Sequence, residues 1–197
     1  MARYRKIDPR VWNDEKFRTL SDRGKLAFLF VLTHPAMTCL GAMRATFEGL
    51  AAELRWPFAT FVDAIGEGIA HTMIEANRDA SFIGLPNFLK YNEPEGPNSV
   101  TKAWPNALDL IPECHEKGRL LLRCRTYLEA KSEEFRGTMG DTIWNVLAIP
   151  SAILEQEQQP EPGTTALREK QLSGCRDRSR GRGPQDETPL PSASQGV

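Results

Sequence analysis

The longest apolar run of the chain, residues 26–32, lies between Ser21 and Pro35. Ser21 is a helix N-cap residue, and Asp22 follows in the first turn, where negative charge suits the helix dipole. Pro35 ends the segment, because the residue before a proline is pushed out of the α region. Residues 22–33 are therefore expected to form a helix. Leu26, Phe28, Leu29, Phe30, Val31 and Leu32 make it apolar on nearly all sides, so it should be central and buried. At seven residues the run is far short of the about 20 that a membrane span requires.

The flanking segments supply partners for such a helix. An N-terminal arm mixes basic and aromatic residues and should dock through Ile7, Val11, Trp12 and Phe17. Residues 38–43 suit a short strand. Thr46 can cap a second helix, in which Phe47, Leu50, Ala51 and Leu54 follow the i, i+3, i+4, i+7 pattern. Pro57 suits the first turn of a third helix. This helix is expected to bury Phe58, Phe61, Val62, Ile65 and Ile69, and to expose Thr60, Asp63, Ala64, Glu67 and His71. Gly66 and Gly68 each cost about 1 kcal/mol there relative to Ala. Residues 73–76 and 81–85 are β-like, and Asn77-Arg-Asp-Ala80 between them has turn chemistry, which predicts a hairpin. The expected core includes Trp12, Leu26, Leu29, Phe30, Leu50, Leu54, Phe61, Ile65, Ile69, Ile74 and Phe82.

Helix, short strand, helix, tight turn, helix and hairpin is the order of a winged helix-turn-helix. The expected fold class is mainly α with a small β-hairpin. The expected organisation is a winged helix over 1–92, a helical extension over 98–136, and a mostly disordered tail over 137–197. The extension should start at Asn98, kink or break near Trp104-Pro105, and continue as a helix from Glu113 to about Arg136. The tail should keep a short apolar patch at 141–154, because apolar content collapses after Leu154.

Several stretches resemble phage and prophage replication proteins with an N-terminal winged helix. They are Met1-Ala-Arg-Tyr-Arg-Lys-Ile7, Trp12-Asn-Asp-Glu-Lys-Phe17, Leu20-Ser-Asp-Arg-Gly-Lys-Leu26, Leu40-Gly-Ala-Met-Arg44, Gly84-Leu-Pro-Asn-Phe-Leu-Lys-Tyr-Asn92 and Leu108-Asp-Leu-Ile-Pro-Glu-Cys114. This is the replisome-organiser type, loosely akin to the N-terminal domains of DnaD-like proteins and of the phage lambda O protein. The resemblance covers residues 1 to about 135. It implies a non-enzymatic protein of the bacterial host cytosol that contacts origin DNA or self-associates. It also implies that a C-terminal part recruits a helicase or its loader.

Charge says where DNA could be held. The whole chain has a net charge of −1. Residues 1–92 carry 12 Lys/Arg against 10 Asp/Glu, which makes this the only mildly basic part. The exposed face expected for the third helix is not basic, and its two carboxylates would oppose the phosphates. Phosphate contacts are therefore expected from Arg3, Arg5, Lys6, Arg44, Arg55, Arg78 and Lys90, with Thr60 as the contact from the helix. Four arginines in 176–182 would add a flexible basic tract or form a solvated tail. The acidic helix face equally suits a protein-binding winged helix without DNA contact. A transcriptional regulator is a further alternative, dimerising through the helix at 113–136 to read half-sites one DNA turn apart.

Other chemistries lack their residues. No apolar h-region follows the first six residues, so a signal peptide is not expected, and four widely spaced cysteines read as reduced thiols. Cys114, His115 and Cys124 lack both the spacing and the fourth ligand of structural zinc, and Cys124 reads as a core residue. There is no GxSxG and no GxxxxGK[ST], so neither an enzyme nor a cofactor is expected.

Overall fold

The computed structural model describes residues 4–148. Expectations for Arg3, for the tail from 149 onward and for the tract at 176–182 lie outside the described residues.

A 3-10 turn, Pro9–Asn13, leads into α1 (Glu15–Thr19), α2 (Asp22–Thr33), β1 (Ala42–Arg44), α3 (Phe47–Glu53) and α4 (Phe58–Ala70). Then follow β2 (Glu75–Asn77), β3 (Phe82–Gly84), α5 (Phe88–Tyr91), α6 (Pro97–Asp109), α7 (His115–Glu129) and α8 (Glu133–Val146). The fold is mainly helical with one small antiparallel sheet of order β1-β3-β2. In that sheet Ala42 and Glu75 flank Gly84, while Arg44 and Asn77 flank Phe82. The sheet thus has two distinct ends.

Local chemistry accounts for the boundaries. Ser21 accepts from the Gly24 N–H and Thr46 from the Gly49 N–H, each capping its helix. Between α2 and β1, Gly41 adopts φ +79, a left-handed conformation natural to glycine. A Cβ at Gly41 would also fall 2.2 Å from the Phe88 side chain. Pro57 is the N-cap of α4 rather than part of its first turn, and no side chain caps that helix.

The core is one continuous cluster spanning both the sheet region and the C-terminal helices. Leu50, Phe61, Ile65, Ile74 and Phe82 are buried as expected. Three expected core residues are not, for Trp12 is 59% exposed, Leu26 48% and Ile69 42%. Leu29, Phe30 and Leu54 are half-buried. The reason is that α2 is not wrapped. It packs against α4 and buries Ala27, Val31 and Leu32, holds Phe28, Leu29 and Phe30 half-buried, and turns Leu26 to solvent. Trp12 lies edge-on to buried Phe17, with centroids 5.2 Å apart, and so covers the core from outside.

The buried stripe of α4 is Phe61, Ala64, Ile65 and Gly68, rotated from the expected one. Gly68 decides the rotation, since a Cβ there would lie 2.6 Å from Ile74 Cδ1. The glycine that weakens the helix locally lets the next strand approach it.

Beyond 92 the expected boundaries need correction. Asn98 is not a cap, because α6 starts at Pro97 after Gly96 and runs through Pro105 without ending. The helix expected over 113–136 is two helices that break between Ala130 and Ser132, where Ser132 caps α8. Ordered structure continues past 136 to Val146, because Met139, Ile143 and Leu147 bury themselves against the core. Part of the expected apolar patch is therefore core. No helix among the described residues is long and apolar enough to cross a membrane.

Candidate nucleic-acid interface

One end of the sheet gathers exposed arginines around the start of α4. The hairpin turn closes with Asn77 Oδ1 accepting from the Ala80 N–H at 3.0 Å and the Ser81 N–H donating to the Arg78 carbonyl at 3.1 Å. Its tip is tied to β1 by the Ala45 N–H, which donates to the Ser81 carbonyl at 2.9 Å. From this turn Arg78 reaches back over Phe58, its guanidinium carbon 4.7 Å from the ring centroid. Arg78 also donates to Glu48 Oε1 at 2.5 Å, with both side chains 57% exposed. The Glu48 carboxyl is held below its usual range, first by a hydrogen bond from its own backbone and then by Arg78.

Arg44 and Arg55 join the same end. Arg44 stands exposed on β1 opposite Phe82. Arg55 is exposed at φ 55 in the turn that leads into α4. Thr60 is half-buried in the first turn of α4, where the uncapped N–H groups carry the positive end of the helix dipole. Arginine side chains and a helix N-terminus together are a surface chemistry for phosphate oxygens.

The other predicted contacts lie elsewhere. Arg5 donates to the carbonyls of Met37 and Thr38 and sits 5.6 Å over the Phe88 ring. Thr38 in turn donates from Oγ1 to the Ala42 carbonyl at 2.6 Å, which places Arg5 at the opposite end of the sheet. The Lys6 N–H donates to Asn92 Oδ1 at 2.8 Å. Lys90 lies 5.3 Å over the Tyr91 ring beside it. The predicted set therefore divides, with Arg44, Arg55, Thr60 and Arg78 at one end and Arg5, Lys6 and Lys90 at the other.

The outer face of α4 also departs from expectation. Glu67 is not offered to solvent as a free carboxylate. It accepts from the Ser21 N–H and the Ser21 hydroxyl, both at 2.7 Å, and so braces the start of α2. His71 Nε2 is 3.4 Å from the Thr19 hydroxyl. What α4 exposes is Phe58, Ala59, Asp63, Gly66, Ile69 and Ala70, a face with one charge and no side-chain hydrogen-bond donor. Glu48 and Phe58, which orient Arg78, were missed because their link to it is made only by folding.

At the packed end of the hairpin the chemistry is structural. Glu75 is 9% exposed. It accepts from Arg119 at 2.8 Å and from Arg123 at 2.6 and 3.0 Å, which fastens β2 to α7. Cys124 packs in the core, and burial pushes its thiol up to about 12. Among the described residues no group of three His, Cys, Asp or Glu is placed to hold a metal ion. The chain matches no family model, no curated protein and no solved structure.

Proposed function

We propose that this chain is a DNA-binding accessory protein of phage or prophage DNA replication initiation, which engages duplex DNA through a winged helix-turn-helix and recruits replisome partners. The observation that carries the reading is that Arg55 and Arg78 flank the uncapped start of α4, with Arg44 exposed on the same end of the sheet as the Arg78 turn. The order α2, β1, α3, α4, β2, β3, with β3 central in the sheet, supports the winged helix. In that fold the third helix meets the major groove and the hairpin flanks a phosphate backbone.

The outer face of α4 has little with which to read bases, so affinity comes from the phosphates. With three arginines and the helix start engaged, log K against log salt should fall with a slope near −3 to −4. Salt-titrated binding of the full chain to duplex and to single-stranded DNA tests this. Absence of duplex binding at low salt would overturn it.

One observation favours a second reading, a winged helix that binds protein instead of DNA. The exposed face of α4 is largely apolar, with Phe58 at 36% and Ile69 at 42% exposure, which suits packing better than a phosphate-lined groove. An Ile69→Asp variant that loses a protein partner while keeping DNA affinity would assign that face to protein.

A further inference from the structure

The end of the sheet away from the arginine cluster holds a pocket of about 330 Å³. Its walls come from the N-terminal arm, α2, Met73 and the segment from Leu85 to Asn92. Ile7, Val11, Phe28, Leu32, Leu85 and Phe88 make it largely apolar. A shallower cleft of about 290 Å³ adjoins it, and the two share Lys6, Ile7, Asp8, Arg10, Lys90 and Tyr91. Together they form one groove with an apolar end and a charged mouth.

The mouth is cationic on balance. Lys6, Arg10, Lys16 and Lys90 stand against two carboxylates, Asp8 and Asp14. Both carboxylates are engaged. Asp8 pairs with Arg10 at 2.6 Å, and Asp14 accepts from the Phe17 N–H at 3.2 Å. Lys16 donates to the Thr72 hydroxyl at 2.7 Å. Glu93 feels the charge of Lys6, but its carboxylate is taken by Lys131 at 2.8 Å and by the Tyr127 hydroxyl at 3.2 Å. Lys6 and Lys90 are exposed and form no ion pair among the described residues. The backbone of Ile7, in the groove wall between these charges, makes no hydrogen bond among the described residues.

Such a groove fits a bulky apolar side chain with carboxylates close beside it. A peptide carries both groups, and an extended one can also pair with the unbonded backbone of Ile7. Nucleic acid, the other polyanion, fits less well. Its bases need an open ring face on which to stack. Phe88 is buried, and Tyr91, at 39% exposure, already has the Lys90 ammonium 5.3 Å from its ring centroid. A phosphate chain in the groove would also run past Asp8 and Asp14.

We propose that the groove between the N-terminal arm and α5 binds an acidic segment of a partner protein, with one bulky apolar side chain at the end lined by Val11, Phe28 and Phe88 and its carboxylates at Lys6 and Lys90. The site is separate from the arginine cluster, and binding there does not depend on DNA being held.

The test is amide NMR on the full chain, with two end-blocked hexapeptides as probes. One has a single leucine among aspartates and the other a single phenylalanine. Titration should move the signals of Ile7, Val11, Phe88 and Tyr91, while those of Ile65 and Phe82 stay and report an intact fold. Serine in place of the apolar residue should weaken binding by about tenfold or more. The double variant K6E/K90E, which changes two exposed side chains, should weaken it by about tenfold. Pocket signals that ignore both peptides at about 1 mM would overturn the proposal. So would movement centred on Arg44, Arg55 and Arg78, because it would assign the acidic peptides to the other end of the sheet. Decanoate or an oligothymidylate that moves the pocket signals at lower concentration than either peptide would overturn it in favour of a free amphiphile or of single-stranded nucleic acid.

Discussion

The two ends of the β2–β3 hairpin carry the same chemistry in opposite settings. At one end Glu75 is nearly buried and held by Arg119 and Arg123 of α7. At the other Arg78 meets Glu48 with both side chains more than half in solvent. A buried carboxylate that loses its partners stays desolvated, so the first end is rigid by necessity. An exposed pair gains little from its partner, so Arg78 can trade Glu48 for another anion at small cost. One hairpin thus has an end that fixes the fold and an end available for binding. If the proposed DNA contact holds, substitutions at the first should change stability and leave DNA affinity per folded molecule alone. Those at the second should do the reverse.

The largest stability effect is expected at Gly41, on the packed end. Gly41→Val forces a β-branched residue to φ +79 and drives its Cβ into Phe88. The left-handed conformation and the overpacking together should cost about 2–5 kcal/mol. Urea unfolding measures it, and a variant within about 0.5 kcal/mol of wild type would show that this end is not tightly packed.

Glu75→Gln comes next. It leaves two arginines facing a neutral amide, and because the arginines keep some solvent the loss should be about 2–3 kcal/mol rather than the larger figure for a fully buried pair. The accompanying expectation is an unchanged salt slope for DNA. A changed slope would mean that the packed end also meets phosphate.

Much of the local structure was legible in the sequence, and most of the site was not. Ser21 and Thr46 announce their helices because capping is local, and the turn at 77–80 announces the hairpin for the same reason. The face of α4 was misassigned because Ile69 continues an apolar stripe as plausibly as Gly68 does. Only the approach of Ile74 to Gly68 favours the second stripe, and that contact requires the β2 segment to be in place. Glu67 looked like a carboxylate set against DNA because its partner, Ser21, lies 46 positions away in sequence. The division of Arg5, Lys6 and Lys90 from Arg44, Arg55 and Arg78 follows from strand register, which three-residue strands scarcely encode. The extent of α8 was missed because Met139 stands alone among polar residues, Gly140 at φ 65 interrupts the helical pattern, and Ile143 and Leu147 read as a separate apolar patch.

Glu67→Gln probes that lesson at a smaller scale. Removal of the charged acceptor for the Ser21 N–H and hydroxyl should cost about 1–2 kcal/mol through the start of α2. DNA affinity should not rise, because Glu67 already faces α2. Asp63→Asn is the contrast. It is exposed on the outer face of α4, so its neutralisation should strengthen binding if that face meets DNA and leave stability within about 0.5 kcal/mol. Equal responses from the two variants would erase the distinction between them.

The smallest stability change and the most informative binding change should come from the exposed pair. Arg78→Ala removes an exposed surface ion pair, so stability should change little. If Arg78 meets a phosphate, the same change should weaken binding to all duplex sequences alike and reduce the salt slope by about 1. Glu48→Gln acts on the opposite partner. If the proposed DNA contact holds, it frees Arg78 from its competitor, so duplex affinity should rise by about two- to five-fold. Acidification mimics this variant. The Glu48 carboxyl titrates below its ordinary 4.5 in the folded chain. The pair's small contribution to stability is therefore present above that value and is lost as pH falls through the lowered folded one. Between pH 5 and 8 the pair should stay charged, so the gain from Glu48→Gln should be constant across that range and shrink only in stronger acid. If Glu48→Gln weakens duplex binding instead, Glu48 holds Arg78 in its binding orientation, and the hairpin tip is as fixed as the end at Glu75.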